Sequence, residues 1–143
     1  MIRISQATRS DNKLKAFGEV EWKFANAEHY DSNSDLDYNQ KDAIFKAVDE
    51  ENIVGSIKCS HEAGVLYINY LIVSHDKKGQ GIGKALMQKA ESFGKKMGAH
   101  KVHLSTGLGW EAEKFYQKLG FLQVAILPNH HFHKDFIVYE KLL

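Results

Sequence analysis

The sequence predicts an α/β fold built on a mixed sheet, in a single domain covering residues 1–143. Three observations lead there. Strand-like runs and helix-like runs alternate in the order strand, helix, three strands, helix, strand, helix, two strands. A glycine-rich turn, Lys78-Gly79-Gln80-Gly81-Ile82-Gly83, joins an apolar strand to an amphipathic helix. The chain is long enough for one real core, and it shows no Gly/Ser-rich linker and no internal repeat.

Ile2 to Ala7 reads as a short strand. Ser10 can cap the first helix and Asp11 favours its first turn. Leu14, Phe17, Val20, Phe24 and Ala27 give that helix an apolar face, interrupted by Gly18. Asp31 to Gln40 is rich in Asp, Asn and Ser and reads as a loop. Ala43 to Val48 and Ile53 to Cys59 are two strands joined by a turn at Asp49-Glu50-Glu51-Asn52. The next strand runs from Gly64 to Val73. Its two faces are both apolar or aromatic in places, which predicts a central strand covered on both sides. Ile82, Leu86, Ala90, Phe93 and Met97 recur at helical spacing, and Gly98 ends that helix. Val102, Leu104 and Thr106 alternate with polar residues as a strand. Ala112, Phe115, Tyr116 and Leu119 mark a short helix ending at Gly120, and Phe121 to Leu127 and Phe136 to Tyr139 are the last strands. The helix after the glycine turn is a crossover, so the strands on either side of it should be parallel.

Formal net charge is +1, with both signs dispersed, so nucleic acid is not an expected partner. The first residues lack an apolar signal region and no run reaches membrane-spanning length. With a single cysteine, Cys59, no internal disulfide can form, and a cytoplasmic setting is expected. Cys59 itself reads as an inert strand residue.

The glycine turn is an anion site in principle: unpaired amides and the positive end of a helix dipole converge there. A P-loop is excluded because Gly83-Lys84 is followed by Ala85 and position 78 is lysine. A dinucleotide fingerprint is excluded because the spacing is G-x-G-x-G and no acid ends the following strand at Ser105-Thr106. A bland structural turn remains the alternative on these residues alone.

Two further segments change the balance. Leu71-Ile72-Val73 precedes the turn, and Glu111-Ala112-Glu113-Lys114-Phe115-Tyr116-Gln117-Lys118-Leu119-Gly120-Phe121 follows it. Together with the turn they resemble the GNAT superfamily of acyl-CoA-dependent N-acetyltransferases. The turn is similar to that family's [QR]-x-x-G-x-[GA] pyrophosphate loop and the second segment to its A-x-x-F-Y-x-x-x-G-F signature. Asp135 to Leu142 is similar to its terminal strand. The match covers residues 53 to 143; the first 50 residues agree in order of elements only. Lys78 stands where glutamine or arginine is usual, and Gly109 where asparagine often is.

The resemblance implies the GNAT fold, a mixed sheet of about six to seven strands flanked by about four helices. It implies acetyl-CoA as cofactor and direct acetyl transfer to a primary amine in a ternary complex. The pyrophosphate would lie on the amides of Gly79, Gln80, Gly81, Ile82, Gly83 and Lys84, with the charges of Lys78 and Lys84. Backbone groups of Leu71, Ile72 and Val73 would hold the pantetheine arm, with an N–H near Leu71 or Ile72 over the thioester oxygen. Tyr116 matches the family's general acid; by its helical spacing with Ala112 and Leu119 alone it reads as a core residue. The positions where relatives often carry a basic side chain hold Asn69, which can orient a water or the substrate, and Tyr67. Other bases within the chain are Glu19, Glu21, Glu28, His103 and Glu111. Pro128 to Asp135 holds three histidines, readable as a surface loop, a wall of the acceptor pocket or a metal site; no metal is expected. Trp22, Phe24 and Tyr30, near the acidic loop, could form the opposite wall. The acceptor could be a small-molecule, peptide or protein amine. The terminal strand leaves a homodimer open. The alternative function is a non-catalytic acyl-CoA-binding sensor.

Overall fold

The computed structural model describes residues 1–30 and 36–143. They form two compact units, residues 1–37 and 38–143. The predicted loop over Asp31 to Gln40 falls partly on residues 31–35, which lie outside the described residues.

In the first unit, α1 spans Asn12–His29. Its cap is Asp11 rather than Ser10. The Asp11 carboxylate accepts from the backbone N–H groups of Lys13 and Leu14, both at 3.0 Å, satisfying two amides that the first helical turn leaves open. Ile2 to Ala7 is not a strand. Its alternation supplies a face, but a strand exists only within a ladder; Ile2 and Ile4 are exposed.

The second unit contains β1 (Lys41–Asp49), β2 (Asn52–Glu62), β3 (Val65–Val73), α2 (Ile82–Met97), β4 (Lys101–Gly107), α3 (Ala112–Lys118), β5 (Leu122–Leu127) and β6 (Phe136–Leu142). Single 3-10 turns occupy His75–Lys77 and His131–His133. The sheet has six strands in the order β1-β2-β3-β4-β6-β5. The described residues thus hold six strands and three α-helices, the strand count at the lower expected bound and one helix fewer than expected. β3 and β4, joined through α2, are parallel as the crossover requires; every other pairing is antiparallel.

The core lies on one face of this sheet. Ile57, Cys59, Leu66, Ile68, Val102, Leu104, Ile137 and Tyr139 point into it from the strands; Leu86, Met87 and Ala90 meet them from α2, and Tyr116 from α3. Gly94 lets α2 lie close to β3, because a Cβ there would sit 2.9 Å from Leu66 Cδ2. The backbone N–H of Gly98, in the left-handed conformation at φ 93°, bonds back to Gly94 and Lys95 and ends the helix as its sequence predicts. The expectation that β3 is covered on both faces is not met within this unit. Both of its helices pack on the same side, and Tyr67, Tyr70 and Ile72 on the other side are exposed. None of the described helices is long and apolar enough to cross a membrane.

Replacing Gly94 by Val should destabilise the protein by about 2–3 kcal/mol, since a branched side chain must displace Leu66 or lift α2. Urea unfolding checks this; an unchanged midpoint would show that the helix is not held this tightly.

Candidate active site

The sheet is incomplete in its middle. β3 and β4 pair only through Val65↔Lys101, Leu66↔Val102 and Tyr67↔His103. Beyond that last rung β3 stays registered with β2 as far as Gly55↔Val73. β4 stays registered with β6 as far as Gly107↔Phe136. The two half-sheets therefore diverge, and the edge of β3 from Ile68 to Val73 is left without a β4 ladder. Exposed strand edges hydrogen-bond extended amide-bearing chains.

A bulge decides which residues of β3 face which way. Lys58 pairs with Tyr70 and Cys59 with Ile68, so Asn69 is the extra residue. Before it the even positions Leu66 and Ile68 face the core; after it Leu71 and Val73 do. Asn69 itself is exposed, its side-chain oxygen accepting from Ser60 Oγ at 2.8 Å.

Leu71 and Val73 border a cavity of about 450 Å³ at the end of the gap. The glycine turn forms its rim. Gly79 and Gly81 have φ of 79° and 82°, left-handed conformations that disfavour any residue with a Cβ, although space there is open. Gly81 is the cap of α2 and offers no side chain, so the amides of Ile82, Gly83 and Lys84 have no intrahelical or capping partner. Gly83 is glycine for another reason: it is helical, and a Cβ would lie 3.1 Å from Phe115 Cζ. Lys77, Lys78 and Lys84 all line the cavity. Lys77 is tied to Asp49 at 3.0 Å, and this hydrogen bond raises its pKa. Lys78 and Lys84 make no ion pair among the described residues.

The far wall is α3, which brings Ala112, Phe115 and Tyr116 to the cavity, with Glu111 at its start. A helix of seven residues is not stable alone, so packing must hold it. Glu113 supplies one anchor. One of its carboxylate oxygens accepts from the backbone N–H of Gly109, the other from Tyr139 Oη at 2.6 Å. Tyr139 Oη accepts in turn from Gln117 at 2.9 Å and Gln123 at 3.2 Å. Gly109 takes a left-handed φ of 81° to make this turn. Tyr116 is buried with its ring against Phe115 and Phe121, at 5.2 and 5.7 Å. Its hydroxyl makes no hydrogen bond among the described residues and is not sealed off from the cavity. Burial raises its pKa, so the phenol stays protonated.

Most of the predicted cofactor residues come together at this cavity: Leu71, Val73, Lys78, Gly79, Gly81, Ile82, Gly83 and Lys84. Ile72 and Gln80 do not line it. Ile72, pointing to the opposite face, lines an adjoining cavity of about 530 Å³ that shares Leu71, Val73 and Lys78. Lys77, Glu111, Ala112 and Phe115 join the lining without having been anticipated as cofactor contacts. Phe115 was legible only as an apolar helix position. Of the base candidates, Glu111 lies on this wall, while Glu19, Glu21 and Glu28 lie on α1 in the separate unit. His103 and Tyr67 form the last rung below the gap, ring edge to ring at 5.4 Å. The three loop histidines have local partners: His130 stacks on His131 at 4.5 Å, His131 meets Phe136 at 4.7 Å, and His133 bonds Asn129 at 2.8 Å. Among the described residues no group of three or more His, Cys, Asp or Glu side chains could hold a metal. The buried Cys59 thiol is pushed up to about 11, chiefly by burial, and is no nucleophile at neutral pH.

Known proteins share this fold. An acetyltransferase of Bacillus cereus superposes with a TM-score of 0.75 at 18% identity, over 99% of this chain and 98% of its own. A GNAT family acetyltransferase of Elizabethkingia anophelis, solved with acetyl-CoA bound, superposes with a TM-score of 0.65 at 21% identity, over 70% of this chain and 75% of its own. N-alpha-acetyltransferase 30 of Schizosaccharomyces pombe is 31% identical over 93 residues. The aligned stretch is 61% of this chain and spans 62% of that protein's length. The sequence pattern of the acetyltransferase (GNAT) family matches residues 12–121, and on that match, with the sheet and turn just described, the chain belongs to the GNAT family.

Proposed function

We propose that the protein is an N-acetyltransferase that moves an acetyl group from acetyl-CoA to a primary amine by direct transfer in a ternary complex. We further propose that residues 1–143 serve as one such domain, acting in the cytoplasm. The observation that carries the reading is the uncapped start of α2 beside the parted strands, with a buried, protonated Tyr116 between them.

The residues present fit acetyl-CoA. The free amides of Ile82, Gly83 and Lys84, with the positive end of α2, suit a pyrophosphate, and Lys78 and Lys84 neutralise its charge. The unladdered edge of β3 suits the amides of a pantetheine arm. When bound, acetyl-CoA supplies an activated acyl carbon and a thiolate leaving group. A backbone N–H near Leu71 or Ile72 would stabilise charge developing on the acyl oxygen. Tyr116 Oη would give its proton to the departing sulfur, a role that its raised pKa serves by keeping that proton in place. Asn69, held by Ser60 on the outer face, would position water or acceptor.

For the acceptor, the likeness to N-alpha-acetyltransferase 30 favours a peptide α-amine over a small molecule. The rival reading is a CoA-binding module without turnover, favoured by the lack of a carboxylate at Tyr67 and Asn69.

Calorimetric titration with acetyl-CoA should give micromolar binding, lost in Gly81→Glu, which puts a strained, anionic residue on the phosphate rim. An affinity unchanged by Gly81→Glu, or no binding to the wild type, would remove the cofactor assignment. Tyr116→Phe should keep acetyl-CoA affinity and lower kcat by about 100-fold. Were kcat unaltered, Tyr116 would be a core residue only.

A further inference from the structure

An amine acceptor arrives largely as ammonium and must lose a proton before it can attack. The face of the sheet opposite the α2 cavity holds side chains suited to take it. His103 on β4 stands beside Tyr67 on β3 at the rung where the strands part. It is directly across from Glu140 on β6, and its Nδ1 lies 2.8 Å from a Glu140 oxygen. Lys101 Nζ bonds the same carboxylate at 3.0 Å. Hydrogen bonding by His103, with Lys101 adding to it, holds the Glu140 carboxyl below the usual carboxylate range, so it is anionic at neutral pH. An anionic carboxylate can only accept, so His103 Nδ1 carries the hydrogen and donates it. In the neutral ring Nε2 then holds the lone pair, and no hydrogen bond is made to it among the described residues. The side chain is about one-third exposed, open enough for solvent or substrate to reach it. Val102 and Leu104 on either side of it face the core, which puts His103 on the outer face.

We propose that His103 is the general base of the reaction, Nε2 taking the proton from the acceptor ammonium through ordered water, with Glu140 as the positioning residue that fixes the ring. This rests on the acetyltransferase reading above. Tyr67 and Leu71 are four positions apart, about 13 Å of strand, so the proton would cross by the reach of the imidazole side chain and ordered water rather than by direct contact. The balance closes. The amine gives one proton to His103 Nε2, its lone pair forms the new C–N bond, the C–S bond breaks, and the sulfur takes the Tyr116 proton. His103 then passes its proton to solvent, Tyr116 regains one, and the amide loses the nitrogen's remaining extra hydrogen to water. Imidazolium formed during the step is stabilised by Glu140, and Lys101 and Tyr67 are the other titratable groups beside it. The arrangement also answers the missing carboxylate on β3: the base stands on the neighbouring strand.

The test uses the full chain, a hexapeptide with a free α-amine and benzylamine as acceptors, thiol release as readout, and pH from 6 to 9. His103→Ala should lower kcat about 100-fold at pH 7 while acetyl-CoA affinity holds. The deficit should narrow above pH about 8, where an α-amine is already neutral, and added imidazole should restore part of the rate. His103→Gln, which keeps a polar side chain of similar reach, should show the same deficit if folding of the alanine variant is in question. Glu140→Gln should cost less, about 10-fold, and move the acidic limb of the kcat/KM profile. A wild-type rate in His103→Ala overturns the proposal, as does a deficit that neither pH nor imidazole alters. Acetyl-CoA binding by the wild type with no transfer to either acceptor would instead overturn the acetyltransferase reading, and this inference with it.

Discussion

Two parallel strands that pair for three rungs and then separate create the conditions for everything else in this molecule. A ladder broken inside a sheet strands backbone groups that must find partners, and such groups are costly to leave buried. Here the break is tolerated because each strand remains fully laddered on its other side, β3 to β2 and β4 to β6. The gap is thus bounded by two stiff half-sheets rather than by loops. α2 ties them together below, lying close against β3 through Gly94. An opening with rigid walls can hold an extended ligand without first being ordered, which reduces the entropic cost of binding.

That opening also divides labour between the two faces of the sheet. On the helical face lie the amides of α2, the lysines and Tyr116. On the other lie Tyr67, Asn69, His103 and Glu140. In the proposed reaction donor and acceptor would approach from opposite sides and meet in the gap. In that proposed reaction the acid and the base would correspondingly be kept in different surroundings. Burial holds Tyr116 neutral, while His103 sits near solvent beside an anionic carboxylate.

What could be read from the sequence was what depends on near neighbours. The glycine turn, the strand before it and the Phe115-Tyr116 helix are local patterns, and their residues meet at one cavity. The parallel β3–β4 pair followed from a handedness and length argument that needs no contacts. The bulge at Asn69 was invisible, because an extra residue is defined only against the partner strand. The pairing of His103 with Glu140 joins residues 37 positions apart, and no periodicity announces it. Nothing local in the sequence marks Glu113 as an anchor; only the fold brings Gly109 and Tyr139 to its two oxygens. Ile2 to Ala7 misled for the converse reason: its alternation is real, but local pattern without a neighbouring edge forms no strand.

The bulge has a bearing on how such a site can change over time. Asn69 is the one residue by which β3 outruns β2, so the core-facing positions change from even to odd numbers while their β2 partners, Cys59 and Ile57, continue to alternate regularly. Deleting that one residue would leave a regular ladder in which Cys59, Lys58 and Ile57 meet Ile68, Tyr70 and Leu71 in turn, with Leu71 and Val73 still facing the helices. Substitutions along β3 adjust the lining one side chain at a time. The bulge instead absorbs a change of one residue in length, so β3 can lose the residue between Ile68 and Tyr70 while Leu71 and Val73 keep their place beside the cavity.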